Sequence, residues 1–113
     1  MALQPGSFFE SDNTGSSETI SLQPASPASS TSALIASAFY GNDLGGHPNP
    51  ALVAEDRKSV TITVAPGINS LVITLVSPNP NDETVELCQG STQLADPTVR
   101  NHSAVSTILI KGT

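Results

Sequence analysis

The sequence predicts an all-β protein, an antiparallel β-sandwich of about seven short strands with a flexible Ser/Thr/Pro-rich N-terminal arm. Apolar residues alternate with threonines over residues 60–64, which is the period-two pattern of a half-buried strand. Clusters of proline, glycine and asparagine interrupt the chain at fairly regular spacing, as turns between short strands do. Over 113 residues, these observations favour a single domain built from strands.

The composition limits the functions open to the chain. Ten acidic residues against four basic ones give a net charge of -6, which disfavours binding to nucleic-acid phosphates. Hydrophobic residues make up 37% of the chain and aromatic residues 4%, so the core must be small and aliphatic. No apolar run approaches the ~20 residues of a membrane-spanning helix, so we expect no membrane span.

The first residues carry no visible targeting signal. Residues 1–6 lack the basic region and the apolar stretch of a signal peptide. We therefore expect synthesis in the cytoplasm, and the protein is then either particle-associated or exported by a leaderless route.

The N-terminal part differs from the rest of the chain. Residues 1–17 are predicted to form the flexible arm, and residues 18–113 the single β-sandwich domain. Residues 18–23 are the first candidate strand of that domain, because Ile20 and Leu22 alternate with polar residues. Two adjacent aromatic residues of the arm, Phe8 and Phe9, either anchor it on the domain, contact a neighbouring subunit or fill the first strand.

Two longer segments follow. Residues 33–40 are predicted to form a buried strand, which ends at a Gly41-Asn42-Asp43 turn. Residues 42–54 then form a long loop, because two prolines and three glycine or asparagine residues within residues 45–50 forbid regular structure. A loop of this length in a small domain is often functional, so Asn42, His47 and Asn49 are candidate ligand-binding residues.

The strongest strand signals lie in the middle of the chain. Residues 60–64 and 71–76 are predicted to pair as antiparallel neighbours, joined by a turn with proline at its second position and glycine at its third. Residues 84–88 and 92–94 are strands around a tight Gln89-Gly90-Ser91 turn, and residues 104–111 form the closing strand. The architecture these elements suggest is a jelly-roll or immunoglobulin-like sandwich.

Acidic and amide side chains in two loops suggest calcium. Calcium prefers oxygen ligands, and loops at one end of a sandwich can converge on an ion. The candidate ligands are Asp43 in the long loop and Asn79, Asn81, Asp82 and Glu83 in the next turn cluster. The adjacent charges of Asp82 and Glu83 have no basic neighbour in the sequence, so a cation would relieve their repulsion. Calcium is thus the one cofactor that the sequence suggests.

The single cysteine, Cys88, cannot form an intramolecular disulfide. Its neighbours Glu86, Leu87 and Gln89 do not activate a thiol, so we interpret it as a small buried apolar residue. The Gly41-Asn42-Asp43-Leu44 block resembles one block of the small SGNH-type esterases, but their early Gly-Asp-Ser nucleophile block is absent from the sequence. We therefore interpret the block as a turn and expect no catalytic activity.

Two functions remain open. The first is a non-enzymatic, lectin-like binding module whose end loops bind a glycan through calcium. The alternative is a structural or assembly subunit of a particle, fibre or coat, in which the N-terminal arm makes oligomer contacts. A glycan or a protein is therefore the expected partner. A homo-oligomer is expected under either function, because residues 59–77 are uncharged and would leave strand edges prone to association.

Overall fold

A computed structural model describes residues 9–11, 15, 17–25, 31–43 and 51–112. The described residues form strands, turns and bends and include no helix, which confirms the predicted all-β class. The strands are β1 (Phe9–Ser11), β2 (Ser17–Pro24), β3 (Leu34–Asn42), β4 (Leu52–Val53), β5 (Ser59–Thr63), β6 (Gly67–Val76), β7 (Glu83–Gln89), β8 (Thr92–Ala95), β9 (Thr98–Val99) and β10 (Ser103–Gly112).

The strands form two sheets. The four-stranded sheet has the order β1-β10-β6-β3, and it is antiparallel except that β1 runs parallel to β10. The other sheet has the order β4-β5-β2-β7-β8, with β9 also paired to β7. Their apolar faces enclose one core in a sandwich-like arrangement.

The core is aliphatic, as the composition predicts. In β6, Leu71, Ile73 and Leu75 are fully buried and alternate with residues that reach the other face of the sheet. From the second sheet, Ile20, Val60 and Leu87 contribute to the same core. Because both sheets bury alternate residues against each other, each sheet presents a second face outward.

The predicted pairing of residues 60–64 with residues 71–76 is wrong. The first segment, β5, pairs with β2 and β4, whereas β6 pairs with β10 and β3 in the other sheet. The chain therefore crosses from one sheet to the other between β5 and β6, and Gly67 adopts a φ of 91° there. A Pro-Gly turn suits such a crossing as well as a hairpin, and both strands still bury one apolar face.

Two further expectations need correction. The described residues contain ten strands rather than about seven, because β1, β4 and β9 have only two or three residues and give no alternation pattern. The predicted strand at residues 33–40 is present as β3, but it is an edge strand rather than a buried one. Its Phe39 side chain is 70% exposed.

The remaining strands occupy their predicted places. Strands β7 and β8 pair around Gly90 and Ser91 as the predicted tight hairpin. Strand β10 closes the four-stranded sheet and pairs with β6 over ten residues. Within the predicted arm, β1 lies beside the end of β10, where Phe9 is opposite Ile110.

Candidate functional site

The predicted calcium ligands lie at two opposite ends of β6. Asn42, which precedes Asp43, is opposite Asn69 near the start of β6, while the turn that holds Asn79 to Glu83 follows Val76 at its end. Seven residues of extended strand separate these two ends by roughly 23 Å. The fold therefore does not bring Asp43 to the other four candidates.

At the first end, side chains fasten the β5–β6 connection to β3. The Asp43 carboxylate accepts a hydrogen bond from the Ile68 backbone N–H at 2.8 Å, and the Asp43 N–H donates to the Ile68 carbonyl at 3.0 Å. The Asn42 amide donates to the Pro66 carbonyl at 2.9 Å and to the Asn69 side-chain oxygen at 2.8 Å. Asn42, a candidate ligand residue, thus has a structural role here.

Asn69 is the centre of this network. Its side chain is fully buried, and its amide donates to the Ala65 carbonyl at 2.8 Å and to the Ile110 carbonyl at 3.1 Å. A longer contact of 3.3 Å joins the same amide to Gly67. Because the three backbone groups belong to the β5–β6 connection and to β10, Asn69 joins the chain crossing to the four-stranded sheet.

At the other end, the predicted ligands also have protein partners. The Asn79 side chain accepts from the Asn81 N–H at 3.0 Å, which is a local turn contact. The Glu83 carboxylate accepts from the Thr31 hydroxyl at 2.8 Å. These contacts hold the turn and the segment that leads into β3.

Asp82 forms an ion pair that the sequence does not indicate. The Arg100 guanidinium lies 3.4 Å from its carboxylate, because the β6–β7 and β9–β10 turns are at the same end of the sandwich. Arg100 thus provides the positive charge that was expected of a bound cation. In the described part of the chain, no three His, Cys, Asp or Glu side chains are grouped so as to hold a metal ion. Calcium binding stays a prediction.

Of the remaining candidate ligand-binding and oligomer-contact residues, the structure describes only one. His47, Asn49 and Phe8 lie outside the described residues. Phe9 is half-buried and packs against the core from β1.

Cys88 is buried, but it lies on the outer side of its sheet. Its strand position is opposite Ser21, whereas the adjacent Leu87 is opposite Leu22 and belongs to the core. Burial, together with the Glu86 carboxylate 3.7 Å from the sulfur, raises the pKa of the Cys88 thiol. The thiol is therefore predominantly protonated and unreactive near neutral pH.

The surface feature that sequence reasoning missed is the outer face of the four-stranded sheet. Four rows of outward-facing residues from β3, β6 and β10 carry no charge, and we call these twelve residues the apolar face. They are Leu34, Ser37, Phe39, Gly41, Ser70, Val72, Thr74, Val76, Ser103, Val105, Thr107 and Leu109. The next outward positions, Ile68 of β6 and the exposed Lys111 of β10, lie beyond its last row. A sequence pattern that indicates this face is present in β10, where Val105, Thr107 and Leu109 alternate with residues that include the buried Ile108 and Ile110.

Comparison of the chain with protein-family models, with curated proteins and with solved structures finds no match. Among the described residues, no helix is long and apolar enough to cross a membrane.

Proposed function

We propose that this chain is a non-enzymatic structural protein, an assembly subunit that works by associating with further copies of itself. The observation that carries the proposal is the distribution of exposed apolar side chains. In the described part of the chain, five large hydrophobic residues are exposed, and four of them belong to the apolar face: Phe39, Val76, Val105 and Leu109. Clustered exposed apolar residues mark interaction surfaces, whereas scattered ones do not.

The polar side chains at the loop ends also support the proposal, because they have partners within the protein. The loop-end side chains Asn42, Asp43, Asp82 and Glu83 contact the protein itself. Calcium-dependent glycan binding was the other function considered, and no contact in the described residues favours it over self-association. The finer fold class, jelly-roll or immunoglobulin-like, remains a prediction alongside it.

Sedimentation equilibrium of the wild-type chain tests the proposal. We expect the weight-average mass to rise with concentration from the 11.6 kDa of one chain towards a defined oligomer. A mass that stays at 11.6 kDa up to about 1 mM would leave an association free energy too weak for an assembly function.

A further inference from the structure

From the register of the four-stranded sheet, we infer that the apolar face binds the same face of a second copy, which forms a twofold symmetric dimer. This inference rests on the proposed function and names the surface that carries it out. A twofold dimer uses one patch on both subunits, so that patch must be complementary to itself.

The apolar face is continuous across three strands. Its side chains form four rows, each with one residue from β3, one from β6 and one from β10. The rows are Phe39–Val72–Thr107, Ser37–Thr74–Val105, Gly41–Ser70–Leu109 and Leu34–Val76–Ser103. Six of the twelve residues are large and apolar, and the other six are small or carry a hydroxyl group. Such a surface can pack against a second sheet as the two sheets of a sandwich do, about 10 Å apart.

The two most exposed large hydrophobic residues of this face lie on different strands. Phe39 on β3 is 70% exposed, and Val105 on β10 is 66% exposed. Val72 and Thr74 of β6 lie between those strands and are half-buried. The face therefore has apolar side chains that project on both sides of a shallower central strand, which a second copy can cover.

The distribution of charge favours a second copy as the occupant. None of the twelve residues is charged, although the chain carries a net charge of -6. The described acidic side chains lie in turns, inside the sandwich or on the other sheet: Glu18, Asp43, Glu55, Asp56, Asp82, Glu83, Glu86 and Asp96. Two acidic copies can thus meet on these twelve residues without opposing carboxylates, and a basic partner would find no acidic residue among them to pair with. Lys111, on the same side of β10, places one positive charge beyond the Leu109 end of the face.

The area is sufficient for a weak dimer. Three strands spaced by about 4.8 Å and four rows spaced by about 6.6 Å give a flat area of roughly 400 Å² per copy. Two copies then bury roughly 800–1,000 Å², because side-chain relief adds to the flat area. This is the lower limit for specific interfaces, so we expect a dissociation constant in the micromolar to millimolar range.

The outer face of the other sheet is more polar than the apolar face, and it provides a control position for the test. Its strands present serines and threonines, with the charged Glu86 among them. Leu52 is 61% exposed at the edge of that face, opposite Thr61. Leu52 therefore matches Val105 in exposure and in apolar character, but lies on the opposite side of the molecule.

The test compares Val105→Asp with Leu52→Asp in the full chain by sedimentation equilibrium. Both substitutions replace an exposed apolar residue with the same negative charge. We expect Val105→Asp to raise the dimer dissociation constant at least about tenfold, because it buries two unpaired carboxylates in one symmetric interface. Leu52→Asp is expected to change that constant less than about twofold. Far-ultraviolet circular dichroism establishes that each variant is folded.

A second variant keeps the test decisive if Val105→Asp does not fold. Phe39→Ser removes apolar area without adding charge, and it should also weaken the dimer about tenfold. Added sodium chloride should leave the wild-type dimer unchanged or strengthen it, since no ion pair holds it together.

The outcomes separate the two proposals. A wild-type chain that remains monomeric overturns both self-association and this interface. A wild-type dimer that Val105→Asp and Phe39→Ser leave intact, or that Leu52→Asp weakens equally, overturns only the assignment of the face. A dimer that dissociates in added salt also contradicts an uncharged interface. Selective loss of the dimer in Val105→Asp and Phe39→Ser supports the inference.

Discussion

Replacement of the buried Asn69 by alanine is predicted to be the most destabilising polar substitution among the described contacts. Its amide donates to the Ala65 and Ile110 carbonyls, and its oxygen accepts from the Asn42 amide at 2.8 Å. Asn69→Ala removes this donor from the buried Ile110 carbonyl and the partly buried Ala65 carbonyl, and it removes this acceptor from the Asn42 amide.

The magnitude follows from these contacts. A net hydrogen bond contributes about 1 kcal/mol, and a buried polar group left unsatisfied costs about 1–3 kcal/mol. The buried Ile110 carbonyl and the partly buried Ala65 carbonyl therefore account for most of a loss of roughly 4 kcal/mol. A domain of this size has a free energy of unfolding of roughly 5–15 kcal/mol, so this loss is a large fraction of it. The melting temperature should fall by roughly 10–20 °C.

The assay is urea unfolding followed by far-ultraviolet circular dichroism, since the chain has no tryptophan and one tyrosine. Asn79→Ala is the matched control, because its side-chain oxygen accepts a local turn hydrogen bond at 3.0 Å. We expect that control to lose less than about 1 kcal/mol. If Asn69→Ala loses no more than Asn79→Ala, the reasoning about the buried network is refuted.

Three further predictions concern single side chains. The buried Tyr40 hydroxyl makes no hydrogen bond of normal geometry with the described residues, although the Ala65 backbone lies near it. Tyr40→Phe should therefore raise the free energy of unfolding by up to about 1 kcal/mol, and a decrease of that free energy in a urea titration would contradict this. Burial also raises the pKa of Tyr40 above its usual 10.0, because the fold favours the protonated phenol. The free energy of unfolding should therefore fall as the pH rises above 10, where the unfolded chain loses this proton first, and Tyr40→Phe should reduce that alkaline loss. The Cys88 thiol should react with a thiol reagent more slowly than free cysteine near neutral pH, and Glu86→Gln should speed the reaction; a rate equal to that of free cysteine would show that the thiol is accessible. Calcium in excess over EDTA should leave the melting temperature unchanged, because Arg100 already pairs with Asp82; a rise that Asp82→Ala abolishes would support the calcium-dependent glycan site instead.

The sequence was informative about strands and about which residues are buried. Alternation at Val60, Ile62 and Val64 predicted a strand, and all three side chains are buried. The spacing of turn residues also placed the β7–β8 hairpin around Gly90. These features are local, so periodicity and turn chemistry are enough to predict them.

Local sequence patterns do not predict which strands pair with each other. Periodicity shows which side of β6 is buried, but it does not show whether β6 lies beside β5 or beside β10. The ten-residue register with β10 joins segments that are far apart in the chain. For the same reason, the sequence could not show that Arg100 lies beside Asp82 or that Asp43 lies at the far end of β6.

The apolar face depends on both kinds of information. Alternation alone indicates that Val105 and Leu109 lie on one side of β10 and Val72 on one side of β6. Only the register shows that these sides coincide and that Phe39 joins them from β3. The sequence predicts a buried strand at residues 33–40, so it does not indicate that Phe39 of β3 lies on an exposed surface.

Hydroxyl-radical footprinting of the wild-type chain tests this account most directly, because it needs no substitution. Side-chain oxidation would be measured as the protein concentration is raised through the dissociation constant. We predict progressive protection of Phe39 and Leu109, which belong to the apolar face, while Leu52 on the other sheet keeps its monomer rate. Oxidation rates that fall equally at Phe39 and Leu52, or at neither while the mass rises, would contradict the assignment of the apolar face as the surface of self-association.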